Sequence, residues 1–170
     1  GVSKLTQAFD LAALLYPTIK SCESKKKDSS NELHLGVSIV SIANIPRYGV
    51  QKDMAFQIAI EKAIRLAMNE KPNFKVSIYV FRGVWPREED VKVSERLWAA
   101  LSKDAPARVT LVPYCNDPEQ TLIRVASCDL FIAARFHAAI FAYLAQCPFL
   151  FLTYHSKCAD LAQTIELPTH

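Results

Sequence analysis

Five short apolar runs, separated by helical patterns, dominate this chain, and that alternation excludes most folds. Residues 35–41, 76–81, 109–114, 129–134 and 148–154 read as strands, and residues 51–69, 88–102, 117–127, 137–146 and 157–165 read as helices. The run at 129–134 (Asp-Leu-Phe-Ile-Ala-Ala) is too short and too apolar for a solvated helix, so it reads as a buried strand. Residues 137–146 are rich in helix formers and apolar on almost every side, as a helix packed on a sheet would be. The helix at 117–127 carries a start signal: Asp117 can cap it, Pro118 suits the first helical position, and Gln120 can reach back to the cap's backbone. Continuously apolar strands between helices imply a parallel sheet covered on both faces. The fold class is therefore α/β, a Rossmann-like, doubly wound parallel sheet of about five strands flanked by helices.

Composition narrows the setting. A chain of 170 residues with 51% hydrophobic residues can bury one good core. No apolar run approaches the roughly 20 residues that span a bilayer, so no membrane span is expected. The formal charge of +3 is too mild to argue for nucleic acid. Much of the excess comes from Lys25-Lys26-Lys27, beside Asp28-Ser29-Ser30-Asn31, a solvated loop rather than a binding patch. The five cysteines, Cys22, Cys115, Cys128, Cys147 and Cys158, lack metal-ligand spacing and fit reduced thiols in a cytoplasmic protein, so no metal is expected. With no initiating Met and no capping Gly after the last helix, the chain reads as a fragment of a longer protein. Residues 1–34 form an opening segment with a basic and polar loop, and residues 35–170 form the Rossmann-like domain.

Chemistry concentrates between residues 128 and 157. Arg135 and His137 fall between the carboxyl end of one strand and the amino end of a helix. In open α/β sheets that edge binds ligands, and the helix end adds unpaired N–H groups and partial positive charge. Lys157 opens the next helix, with Tyr154 and His155 just before it. Arg47, Tyr48 and Gly49 follow the first strand on the same edge, and Arg82-Gly83 follow the second. Each has a plainer reading. Arg135 and His137 can bond backbone carbonyls, Lys157 can be a solvated first-turn lysine, and Tyr154 can be packing. The Pro-Arg-Tyr-Gly loop is common turn chemistry, and Phe131, Phe141, Phe149 and Phe151 read as core.

Asp10-Leu11-Ala12-Ala13-Leu14-Leu15, Leu35-Gly36-Val37-Ser38-Ile39, Arg135-Phe136-His137-Ala138, Thr153-Tyr154-His155-Ser156-Lys157 and Glu166-Leu167-Pro168 follow one another in an informative order. That order resembles the carboxyl-terminal half of polysaccharide pyruvyl transferases, with its Asp-x-Ala-x-Leu-Leu opening, Gly-x-Ser strand, Arg-Leu-His-Ala, Ser-Tyr-Asp-Pro-Lys and Leu-Gly-Leu-Pro. The resemblance spans residues 8–168, and its most specific pieces are the Arg-x-His-Ala step and the later Tyr-x-x-Lys. Three departures stand out. Val40 occupies a position where the family often has a basic residue, with Arg47 a few residues on; His155-Ser156 replaces Asp-Pro; and Phe136 replaces Leu.

The resemblance implies one half of a two-domain, glycosyltransferase-like (GT-B-like) architecture whose amino-terminal half is missing here. It implies a transferase of envelope or exopolysaccharide biosynthesis, joining pyruvate from phosphoenolpyruvate to two sugar hydroxyls as a ketal. The acceptor would be a saccharide, free or lipid-linked, met in the cytoplasm or at the inner face of the membrane. The donor carries a carboxylate and a phosphate close together, which suits a bidentate Arg135 and a point charge at Lys157, with Phe136, Tyr154 and Arg47 completing the binding set. Ketal formation needs a proton donor and acceptor in turn, the role expected of His137. No metal or cofactor beyond the donor substrate is demanded. A sugar-nucleotide glycosyltransferase or epimerase of similar fold would favour carboxylate or backbone contacts to a ribose, and a non-catalytic binding domain would need neither. An isolated domain with one cleft wall is expected to bind donor weakly and transfer nothing.

Overall fold

The computed structural model describes residues 32–82 and 89–167. Its strands are β1 (Leu33–Ser38), β2 (Phe74–Tyr79), β3 (Val109–Val112), β4 (Leu130–Ala133) and β5 (Phe149–Phe151). Its helices are α1 (Gly49–Glu70), α2 (Glu89–Ser102), α3 (Pro118–Ala126), α4 (Phe136–Leu144) and α5 (Ser156–Thr164), with a 3-10 turn at Pro106–Arg108. All strands pair in parallel, in the order β3-β2-β1-β4-β5. The expected α/β doubly wound sheet is therefore present. From β1 the chain winds outward to β3; α3 then carries it back to the other side of β1, where β4 and β5 continue. The direction of winding reverses between β1 and β4, whose carboxyl ends flank the crevice where such sheets take ligands.

Side-chain alternation divides the core into two layers. Leu35 and Val37 of β1 and Val76 and Ile78 of β2 face Ile60, Ile64 and Met68 of α1 and Val93, Leu97 and Leu101 of α2. On the other face, Phe131 and Ala133 of β4 pack with Leu122 and Val125 of α3, Leu161 of α5, and the α4 run from Ala138 to Ala142. That run explains why α4 is apolar all round: it lies between sheet and neighbouring helices, with Ala138, Ala139, Ile140 and Ala142 fully buried. Cover is thinner at the β4–β5 end of the first face, where Leu130 and Leu150 are exposed.

Gly36 sits opposite Phe131 in the ladder. A Cβ there would lie 2.3 Å from Phe131 Cδ2, so glycine is what lets the aromatic ring lie across β1.

The strand ends differ from the sequence expectation in a consistent way. β1 ends at Ser38, although Ile39, Val40 and Ile42 beyond it stay buried. β2, β3 and β5 likewise stop short of the apolar runs that predict them. Ile39, Val40 and Ile42 are apolar because they are buried beyond the ladder, whereas Tyr114 past β3 is exposed. At the start of α3 the Asp117 side chain accepts the Gln120 amide at 3.0 Å, the predicted cap.

Candidate active site

Arg135 is the N-cap residue of α4, directly after β4, but its side chain does not cap the helix. The guanidinium instead reaches α2, where Nε donates to Asp90 Oδ2 at 2.6 Å and Nη2 donates to Asp90 Oδ1. The Asp90 side chain is 1% exposed and that of Arg135 24%, so the carboxylate is buried while the arginine side chain keeps part of its surface exposed. Such a bidentate pair fixes the plane of the guanidinium, and stripping either partner from a buried pair costs about 3–5 kcal/mol. One turn further along α2, Ser94 is also turned fully inward.

His137 lies in the first turn of α4 and is exposed. Its ring meets Phe136 edge-on, with centroids 5.6 Å apart. Phe136 is half-buried against the second core layer, and Lys157 Nζ from the start of α5 sits 5.7 Å from the centre of its ring. Phe136 thus joins the openings of α4 and α5, with a histidine on one side and an ammonium on the other.

Tyr154 closes the arrangement from the end of β5, its half-buried ring packed with Val40, Ile42 and Ala134. Burial pushes its phenol above the usual tyrosine range, the Arg135 guanidinium pulls it part of the way back, and Asp90 opposes that pull. The phenol therefore keeps its proton at neutral pH, within the field of the Arg135–Asp90 pair. Cys158 behaves similarly: burial raises its thiol while Lys157 and Arg135 act the other way, so it is no activated nucleophile. His155 Nδ1 accepts the Lys157 amide at 3.4 Å and caps α5.

Arg47 arrives from the loop after β1 and is engaged by backbone: Nη2 donates to the Tyr154 carbonyl at 2.7 Å. The Tyr48 hydroxyl donates to the same carbonyl at 3.2 Å, and the Arg47 guanidinium lies 4.7 Å from the Tyr48 ring centre. Arg47 is exposed at the rim, and its bond to the Tyr154 carbonyl ties the loop after β1 to the segment after β5. Val40, where a basic residue was the family pattern, is 3% exposed and part of the core. The loop itself is held by Asp53 of α1, which accepts the Ile42 amide at 2.7 Å, the Ser41 hydroxyl at 2.9 Å and the Gln57 side-chain amide at 2.8 Å. Gly49 opens α1 at φ +69°, a left-handed conformation that favours glycine.

Arg135, Phe136, His137, Tyr154, Lys157 and Arg47 are thus connected by direct contacts or by charge across the carboxyl edge of β1, β4 and β5. Arg82 is half-buried just past β2, and Gly83 lies outside the described residues. Sequence reading missed Asp90 and Asp53. Both had a signal: Asp53 shares the inward stripe of Ile60, Ile64 and Met68, and Asp90 that of Val93, Leu97 and Leu101, positions where an amphipathic helix normally places apolar residues. Asp90 was masked further by Glu88 and Glu89 before it, which look like ordinary acids at a helix start.

A family model described as polysaccharide pyruvyl transferase matches residues 1–156. The chain belongs to that family. The match takes in Arg47, Arg135, Phe136, His137 and Tyr154, and stops one residue before Lys157. No curated protein matches the chain. Polysaccharide pyruvyl transferases are transferases with saccharide substrates. In this member, the carboxyl edge presents the paired Arg135 guanidinium, the Lys157 ammonium, an exposed imidazole and a protonated phenol around the amino end of α4. Among the described residues no group of three or more His, Cys, Asp or Glu is placed to hold a metal, and no helix is long and apolar enough to cross a membrane.

Proposed function

We propose that this domain supplies the donor-facing wall of a pyruvyl transferase that moves the carboxyvinyl group of phosphoenolpyruvate onto two hydroxyls of a saccharide as a ketal. The observation that carries the reading is the Arg135–Phe136–His137 step at the amino end of α4, beside the sheet's switch point, with Lys157 folded back over Phe136. That is a site for a small, doubly charged anion: the helix end and guanidinium favour planar oxyanions, and the ammonium adds a point charge. The acceptor would come from the opposite side of the cleft, against a facing domain, as a precursor of envelope or exopolysaccharide.

The chemistry is a sequence of proton transfers. Protonation of the donor's methylene carbon creates a methyl group and an oxocarbenium-like centre at C2. A first sugar hydroxyl adds there and gives up its proton. The C2–O bond to phosphate then breaks, phosphate leaves, and the second hydroxyl adds and loses its proton. One of the two hydroxyl protons replaces the one delivered to carbon, and the other leaves with phosphate. His137, exposed at the mouth and in line with the helix end, is the group assigned to donate and accept in turn. Tyr154 supplies a hydroxyl donor that stays neutral.

Calorimetric titration with phosphoenolpyruvate and with a uridine diphosphate sugar tests the reading. Weak binding of the first by this domain is expected, with phosphate release and a new ketal methyl signal by NMR when a saccharide diol is added to the protein with its facing domain present. Preference for the nucleotide sugar would instead favour a glycosyltransferase or epimerase, and binding of neither a non-catalytic domain.

A further inference from the structure

Asp90 is itself buried, yet it grips the Arg135 guanidinium that the site presents. We propose that Asp90 is the positioning residue for Arg135, and that the α2 start is thereby a working part of the active site. The inference rests on the pyruvyl-transfer reading above.

Three features separate this pair from a simple core staple. Its burial is one-sided: the Asp90 side chain is 1% exposed, whereas that of Arg135 retains 24%. A staple between two layers would hide both partners. Its geometry is directional, because both carboxylate oxygens bind along the Nε–Nη2 edge, leaving the plane of the group no freedom to turn. Its origin is remote, since α2 packs on the opposite face of the sheet from α4 and lies 45 residues earlier in the chain. Long arginine side chains carry about 2 kcal/mol of rotamer entropy. Asp90 removes that freedom before the donor arrives, at the cost of offsetting part of the positive charge. Orientation gained and charge lost have different kinetic signatures. Removing Asp90 should harm turnover through misplacement while leaving donor affinity unchanged or slightly improved, because a nearby negative charge has gone.

The test compares wild type, Asp90→Ala and Arg135→Ala in the protein with its facing domain present, with phosphoenolpyruvate as donor. Asp90→Ala is expected to lose on the order of a hundredfold in kcat, as small misplacements do, with KM for phosphoenolpyruvate changed by less than about threefold. In Arg135→Ala, millimolar guanidinium should restore part of the lost turnover, and it should fail to do so in Arg135→Ala/Asp90→Ala, because the carboxylate that seats the free cation is gone. Where Arg135→Ala does not fold, the kcat-against-KM split in Asp90→Ala decides alone. Wild-type kcat per folded molecule in Asp90→Ala, with only a lower melting temperature, would make the pair a staple and overturn the proposal. Absence of any transfer by the wild-type protein with its facing domain present would sink the pyruvyl-transfer reading and this inference with it, whereas active wild type with unaffected Asp90→Ala sinks the inference alone.

Discussion

The buried Ile42 amide donates to Asp53 Oδ1 at 2.7 Å, so a carboxylate on α1 carries the backbone of the loop that leaves β1. The same carboxylate takes the Ser41 hydroxyl and the Gln57 side chain. Asp53→Ala strands a buried amide and leaves a small void, and a loss of about 2–4 kcal/mol is expected by urea denaturation. Asp53→Asn keeps one acceptor oxygen but turns an amide donor toward other donors, so it should fall between wild type and Asp53→Ala. Faster hydrogen exchange at Ile42 should accompany both losses.

Gly36 and Phe131 form a second close relationship, this time steric. Gly36→Ala would bring a methyl carbon to 2.3 Å from Phe131 Cδ2 and 2.9 Å from Cys128 Sγ. Overpacking of this kind costs about 1–3 kcal/mol. In a Phe131→Leu background the same substitution should cost less, with a coupling of about 1 kcal/mol in a double-mutant cycle. Additive losses would show that the ring is not what excludes the methyl.

How far the fold was legible follows from what apolar runs report. They mark burial, and the alternation of buried strands with amphipathic helices was enough to place each described β-strand and helix. They do not mark pairing, which is why Ile39 and Val40 read as strand while lying beyond the ladder. Strand order was not readable at all, because it depends on which way α3 crosses the sheet and on close approaches such as Gly36 over Phe131. At the site, Arg135, His137 and Lys157 were visible because a strand-to-helix junction is a local pattern. Asp90 was not tied to Arg135, because a contact between residues 45 apart leaves no local trace. Arg47 was placed at the rim, but its bond to the Tyr154 carbonyl depends on tertiary docking that loop chemistry does not encode.

Tyr79 leads to a prediction about pH. Its side chain is buried, its hydroxyl donates to the Arg124 carbonyl at 3.1 Å, and burial, reinforced by Cys128, holds the phenol well above its ordinary range. The folded state therefore binds this proton more tightly than the unfolded chain does. Its contribution is intact below about pH 10, where unfolded tyrosine titrates, and is lost as pH rises further, by about 1.4 kcal/mol per unit. Burial raises Tyr154 and Cys158 in the same direction. Tyr79→Phe should cost about 1 kcal/mol near neutrality, since the Arg124 carbonyl loses a donor, and should show a shallower fall in denaturation free energy above about pH 10. An alkaline limb as steep as that of wild type would assign the loss to other groups.

The roles proposed for His137, Arg135 and Lys157 separate kinetically. His137 is exposed and rests edge-on against Phe136, so its removal creates no core defect and leaves the Arg135–Asp90 pair in place. His137→Ala should therefore keep the wild-type melting temperature while losing a hundredfold or more in kcat, roughly the contribution of a general acid or base. KM for phosphoenolpyruvate should change little. Arg135→Ala should lower kcat and raise KM together, because donor binding and transition-state contacts both lose their bidentate partner, and it should also lose stability, because Asp90 is left buried without its cation. Lys157→Ala should mainly raise KM, by about tenfold, and that increase should shrink with added salt because its ammonium is exposed. Lys157→Arg should recover part of the loss, since the charge is kept above the Phe136 ring. Steady-state kinetics at two ionic strengths, alongside thermal melts, measure all of these. Wild-type turnover in His137→Ala would remove the imidazole from the proton transfers and leave Tyr154, the protonated phenol beside Arg135, as the group to examine next.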